Sequence, residues 1–154
     1  LGEPEAGERL VDDLASHLRD VAVRHPRFGE LTATYVDIAT SGVFFYPSAH
    51  VVNATLATLG FRMTEGSAGI TDAQPVSPER LADYAADVMV VYPFGRTLDQ
   101  LEQQVPTLAT LDAARNGRIF VLDDLAFSAS SVLSLRYAVD RLVPEIARTL
   151  DEPA

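Results

Sequence analysis

Pro75-Val76-Ser77-Pro78-Glu79-Arg80-Leu81-Ala82-Asp83-Tyr84-Ala85-Ala86-Asp87-Val88-Met89-Val90-Val91-Tyr92-Pro93 places a helix start directly before a buried strand. Ser77 suits a helix N-cap, Pro78 the first turn, and Glu79 the positive end of the helix dipole. A short helix is expected there, carrying Leu81, Tyr84 and Ala85 inward. Asp87 to Tyr92 is an apolar, β-branched run of the length of a strand buried on both faces, as in parallel sheets. That strand is expected at the centre of the sheet. Its carboxyl end opens into Pro93-Phe94-Gly95-Arg96, and in open α/β sheets ligands bind in the crevice beyond the strand carboxyl ends.

Upstream, Ala6, Leu10, Leu14, Leu18 and Val21 recur at helical spacing, which predicts one amphipathic helix from Pro4 to about His25. Acids near its start, Arg19 and Arg24 near its end, and Pro26 define its limits. At about 1.5 Å per residue it spans roughly 33 Å. Leu31 to Ile38 reads as the first strand. Val43-Phe44-Phe45-Tyr46-Pro47, bracketed by Gly42 and Pro47, reads as an aromatic connection suited either to a pocket wall or to packing. Ser48 is expected to cap a helix through Leu59, closed by Gly60. Phe61 to Thr64 reads as a short edge strand and Glu65 to Gln74 as a loop.

Beyond Pro93, Thr97 to Gln104 and Thr107 to Asn116 read as two helices separated by Pro106. Arg118 to Leu122 is a further strand, closed by Asp123-Asp124. Those carboxylates suit a cation, a general base or, more simply, a turn cap. After Ala126 to Ser131, a loop holding Phe127, Val132 to Leu150 reads as a helix kinked or divided at Pro144. Strands alternating with helices predict a three-layer, Rossmann-like α/β domain around a mainly parallel sheet, preceded by the long helix.

Composition narrows the function. At 154 residues the chain is one domain able to bury a core without staples. It has no cysteine, and its three histidines are scattered, so no protein-built metal site is expected. Acids outnumber bases 22 to 12, giving a net charge of -10, which disfavours nucleic acid and anionic membrane surfaces. All 12 basic residues are arginine. The absence of lysine removes Walker A, Schiff-base and receiver chemistry. Gly66-Ser67-Ala68-Gly69 is not a nucleophile elbow, because its serine is misplaced. No apolar run approaches the roughly 20 residues of a membrane span. Opening at Leu1-Gly2 without a charged-then-apolar leader, the chain is expected to be a processed product or a piece of something larger.

The order of the long helix, a strand, a glycine-aromatic loop, a helix ending in Leu59-Gly60-Phe61, then Val76-Ser77-Pro78-Glu79-Arg80-Leu81, Ala86-Asp87-Val88, Asn116-Gly117-Arg118-Ile119-Phe120-Val121 and Leu135-Arg136-Tyr137-Ala138-Val139-Asp140-Arg141-Leu142 resembles a known family. It resembles the C-terminal half of ABC-transporter substrate-binding proteins for ferric siderophores, haem and vitamin B12. The resemblance implies that residues 1–26 are an interlobe helix and 27–154 a C-terminal lobe, with the N-terminal lobe absent. It implies a non-enzymatic, extracytoplasmic protein, lipid-anchored when full length, that captures an iron chelate between two lobes and delivers it to a membrane permease. Phe44, Phe45, Tyr46, Tyr92, Phe94, Arg96 and Phe127 would face the ligand, and Glu79 would dock on the permease. Iron would be held by the siderophore, with no protein cofactor.

Catecholate binders of that family often carry an arginine near the position of Ser48-Ala49-His50, where this chain has none. A catecholate met by Arg96, a hydroxamate and a mixed chelate stay open, as do haem and vitamin B12. An α/β nucleotide-binding or signalling domain without enzyme activity is the alternative. Uncovered, the face carrying Phe44, Phe45 and Phe94 is expected to self-associate weakly; a strictly monomeric sedimentation profile at high concentration would count against that.

Overall fold

The computed structural model describes residues 4–123 and 131–151. Helix α1 (Pro4–Arg24) leads through a 3-10 turn at Pro26–Glu30 into strand β1 (Ala33–Ala39). A two-residue turn at Thr40-Ser41 reverses the chain into β2 (Gly42–Phe45), followed by α2 (Val51–Thr58), α3 (Glu65–Ala68) and β3 (Gln74–Val76). A 3-10 turn at Pro78–Arg80 precedes α4 (Leu81–Tyr84), and then come β4 (Val88–Tyr92), α5 (Leu98–Gln104), α6 (Asp112–Arg115), β5 (Ile119–Val121) and α7 (Val132–Arg148).

The five strands form one sheet in the order β3-β2-β1-β4-β5. β1, β4 and β5 pair in parallel, while β2 is antiparallel to both of its neighbours. Four strands therefore point the same way, as the sequence predicts, and β2 alone runs against them. The centre belongs to β1 rather than to β4, which lies one place from the edge. Even so, β4 is fully buried from Val88 to Val91 and has parallel partners on both sides, which is why its sequence reads as a continuous apolar run.

Side chains alternate between two helical layers, as the twofold repeat of a strand requires. Ala33, Tyr35, Val88, Val90 and Phe120 pack under α1, α2 and α7. Val36, Ile38, Met89, Val91 and Ile119 pack against Leu81 of α4, Leu101 of α5 and the Val105–Leu111 segment. The leading helix meets the domain only through its second half. Leu14, Leu18 and Val21 are buried there, while Leu10 and Val11 stay exposed.

Several local expectations are corrected. Val43 to Tyr46 is not an aromatic connection: Gly42 to Phe45 is a strand, because Gly42 sits at the hairpin turn and Pro47 falls after the strand's end. His50, not Ser48, occupies the N-cap of α2, where its Nδ1 accepts the Val52 N–H at 3.4 Å. Residues 61–64 contribute only a single bridge between Arg62 and Thr32. The 65–74 stretch holds α3 and the start of β3, and 107–116 divides into a 3-10 turn and α6. α7 runs as one helix through Pro144.

Gly66 shows why that stretch is glycine-rich. A Cβ there would lie 2.3 Å from the Asp83 carbonyl oxygen, a collision with backbone that no rotamer relieves. Gly66→Ala is expected to separate α3 from α4 and cost about 1–3 kcal/mol, typical of overpacking. Urea unfolding checks this through a lower midpoint at unchanged slope.

Candidate functional site

At the carboxyl end of the sheet, three adjacent strands align Phe44, Asp37 and Tyr92 in one row. Asp37 pairs with Phe44 across the antiparallel ladder and with Tyr92 across the parallel one. Residues opposite each other in register share a sheet face, so the three side chains stand together on the α2 and α7 side. Tyr46, just past β2, reaches the same point, its hydroxyl donating to Asp37 Oδ2 at 2.6 Å. The Tyr35 hydroxyl also interacts with this carboxyl group. Asp37 is 9% exposed, and its Oδ1 has no hydrogen-bond partner among the described residues.

The cluster is closed by stacked rings and a buried amide. His50 lies parallel to Tyr35 at 4.9 Å and tilted against Tyr46 at 4.6 Å. Below them, fully buried Asn53 accepts the Tyr35 N–H at 2.9 Å and donates to the Tyr46 and Pro47 carbonyls, each at 3.0 Å. Its amide replaces the strand partner that β1 loses where β2 turns away. Burial, and then Asp37, push the Tyr35 and Tyr46 hydroxyls above the usual tyrosine range, so both stay neutral.

Burial lowers the His50 pKa, with the nearby Asp37 carboxylate opposing that shift. The folded value lies below the unfolded one of roughly 6.5, so the fold binds this proton less readily than the open chain does. His50's contribution is therefore complete above that value and is lost as pH falls through the folded one. Protonating Nδ1 would also remove the α2 cap. Melting temperature is expected to drop from pH 7.5 to pH 5, with a shallower drop in His50→Asn, which keeps a capping side chain without the titration. Equal slopes in thermal melts would contradict this.

The loop after β4 turns sharply outward. Phe94 has φ 50° and Gly95 φ 77°, two consecutive left-handed residues. Glycine adopts this without strain, whereas a phenylalanine there is an outlier held by its surroundings. Phe94 is 51% exposed, with its ring 4.6 Å from that of Tyr92. Arg96 anchors the loop. Its Nε donates to the Pro93 carbonyl at 2.9 Å, and its two terminal nitrogens donate to the Ile38 carbonyl and to Gln104 Oε1. Gln104 in turn donates to the Ala39 carbonyl at 2.7 Å. Beside this anchor an open cleft of about 420 Å³ is lined by Pro93, Gly95, Arg96, Thr97, Leu98 and Asp123.

The structure thus brings Phe44, Tyr46, Tyr92 and Phe94 to one end of the sheet and separates others from them. Phe45 is withdrawn: it pairs with Val36, faces the opposite layer and is fully buried, with its ring 5.3 Å from Tyr84. Arg96 sits beside the site with its guanidinium already bound to protein oxygens. Phe127 and Asp124 lie outside the described residues, while Asp123 accepts the Tyr137 hydroxyl at 2.8 Å. Glu79 is exposed at the same end of the sheet, three residues past Val76, which pairs with Val43 near the hairpin turn. Its carboxylate is held below the usual range by its own backbone N–H and by the Ser77 side chain.

Sequence reasoning passed over Asp37 and Asn53. The available signal was a single acid inside the apolar run Tyr35-Val36-Asp37-Ile38. Among the described residues, no group of three or more histidine, aspartate or glutamate side chains is arranged to hold a metal ion.

The family model described as periplasmic binding protein matches residues 1–126. No curated protein matches the chain. Solved structures do. Unliganded FhuD2 from Staphylococcus aureus superposes with a TM-score of 0.78 at 14% identity, covering 92% of this chain and 58% of that one. FeuA from Bacillus subtilis, a triscatecholate siderophore binding protein complexed with ferri-bacillibactin, gives 0.74 at 16% identity, covering 92% and 53%. The siderophore periplasmic binding protein from the fuscachelin gene cluster of Thermobifida fusca gives 0.75 at 16%, covering 92% and 54%. The chain therefore spans a little over half the length of the solved proteins it matches.

Proposed function

The chain belongs to the periplasmic binding protein family, and on that premise we propose that it is the C-terminal lobe of the substrate-binding component of an ABC importer for iron chelates. The observation that carries this reading is the exposed Phe94 ring, held in left-handed backbone over Tyr92 at the carboxyl end of the sheet. Such strain is retained where a surrounding structure over-determines it, and binding sites are the usual place. Aromatic faces at this end offer apolar contact to a bulky chelate, whose own donor atoms hold the iron.

An N-terminal lobe would supply the other half of the site, with residues 1–26 as the rigid connection. The exposed Leu10 and Val11 on the first half of α1 give that lobe an apolar surface to cover. Glu79, ionised and exposed, suits docking on cationic groups of a permease, where charge governs encounter and register. The protein would work outside the cytoplasm, lipid-anchored when full length, binding rather than transforming its ligand. Phe94, with the half-buried Phe44, remains the basis for weak self-association of this lobe.

Tyrosine fluorescence tests the reading, the chain having no tryptophan. The full-length gene product is titrated with a ferric hydroxamate, a ferric catecholate and haem. Saturable quenching by one class, weakened at least tenfold in Phe94→Ala, is the expected result. Absence of saturable quenching by all three would refute iron-chelate binding.

A further inference from the structure

Asp37 presents a problem that the packing around it does not solve. A carboxylate taken out of water is costly unless paired and hydrogen-bonded. The ion pairs among the described residues use other acids, namely Glu5, Glu30, Asp83, Asp112, Asp123 and Asp140. Arg96, though bonded to the adjacent Ile38 carbonyl, also ties to Gln104 and Pro93. Ile38 belongs to the opposite layer. Among the described residues Asp37 thus meets two tyrosine hydroxyls, that of Tyr46 on Oδ2 and that of Tyr35, while Oδ1 has no hydrogen-bond partner. The half-buried Asp87 shows the contrast: at the far end of the sheet its Oδ2 accepts both the N–H and the hydroxyl of Thr32 at 2.8 Å.

Among the described residues, the side chains gathered at Asp37 are aromatic. Tyr35, Tyr46 and His50 stack on one side, and Tyr92 stands beside it in register. Tyr46 and Tyr92, beside it, are only half-buried, and Asp37 itself keeps 9% exposure. Ring faces with a carboxylate at their base are complementary to one chemistry in particular, an organic cation. An alkylammonium arm is such a cation. Its N–H groups would reach Oδ1 while its methylenes lie against the rings.

The geometry points to Asp37, with Tyr46 and Tyr92, as a subsite for a protonated amine carried by the ligand. The inference rests on the chelate-binding reading and narrows it, from any ferric chelate to one bearing a free terminal amine. Asp37 would then be a specificity-determining residue: the unmet oxygen disfavours an empty or apolar occupant and rewards a cationic one.

Two arms test this on the full-length gene product. In the first, a ferric linear trihydroxamate with a terminal primary amine is compared by calorimetry with its N-acetylated form. The amine form is expected to bind at least tenfold tighter, with the preference falling to about onefold in Asp37→Asn. Saturable binding of both forms with equal affinity in the unsubstituted protein would overturn the subsite and leave the chelate reading standing. In the second arm, n-butylammonium and n-butanol are titrated while the tyrosine ring resonances are followed by NMR. Saturable shifts with the ammonium alone, absent in Asp37→Asn, support the subsite even if neither chelate binds, in which case only the chelate reading falls. Identical responses to both probes, or none, would overturn it without reference to any chelate.

Discussion

Asn53→Ala is expected to destabilise the protein by roughly 3 kcal/mol, since a buried polar group stripped of its partner costs about 1–3 kcal/mol and three backbone groups lose theirs together. The Tyr35 N–H and the Tyr46 and Pro47 carbonyls all depend on this one fully buried amide. For a domain of this size the melting temperature should fall by roughly 10 °C. Asn53→Asp keeps one acceptor and the shape but sets a buried carboxylate oxygen against two carbonyl oxygens, and should recover none of the loss at neutral pH. The effect would extend to the site, because the same amide holds Tyr46 and the start of α2 in place. Urea unfolding of both variants checks the size, and a loss below about 1 kcal/mol for alanine would mean that water replaces the amide.

Arg96→Ala is the second large effect, and it separates two roles for that residue. Read from sequence, Arg96 meets the ligand's charge; in the structure its guanidinium joins the loop after β4 to the end of β1 and to α5. Loss of this three-way tie is expected to lower stability by roughly 2 kcal/mol, the range of hydrogen bonds from charged groups to a half-buried framework. Chelate affinity should fall more than tenfold, because the Phe94 loop loses its anchor. Arg96→Lys distinguishes the roles. A lysine keeps the charge but cannot span three separated acceptors, so as an anchor it should recover little of either property. Recovery of affinity without recovery of stability would return Arg96 to direct ligand contact.

The layers of the fold were legible because burial leaves a periodic signature. Val88 to Val91 are buried on both faces and read as an unbroken apolar run; Leu14, Leu18 and Val21 cover one face and recur at helical spacing. The hairpin was misread because three adjacent aromatics hide the alternation that sends Val43 and Phe45 inward while Phe44 stays half-buried. In isolation, glycine and proline at its ends suit a connection equally well. β3 was missed because Pro75 argues against a strand, which an edge strand tolerates.

The site was only partly legible. Tyr92 and Phe94 follow from their position at and just beyond the end of a buried strand, a local feature. Asp37 draws its meaning from Phe44, Tyr46 and Tyr92, which come from other parts of the chain and meet it only through sheet order and register. The commitment of Arg96 likewise depends on Gln104, which one turn of helix sequence does not reveal.

The measurement that bears most directly on the central claim is a crystal structure of the full-length gene product with its ferric chelate bound. The chelate is expected within about 4 Å of the Phe94 and Tyr92 rings, at the carboxyl ends of β1 and β4, with a second lobe closing over it. A chelate seated elsewhere, for example in the groove beside Thr32, Asp87 and Asp112 at the opposite end of the sheet, would contradict the account.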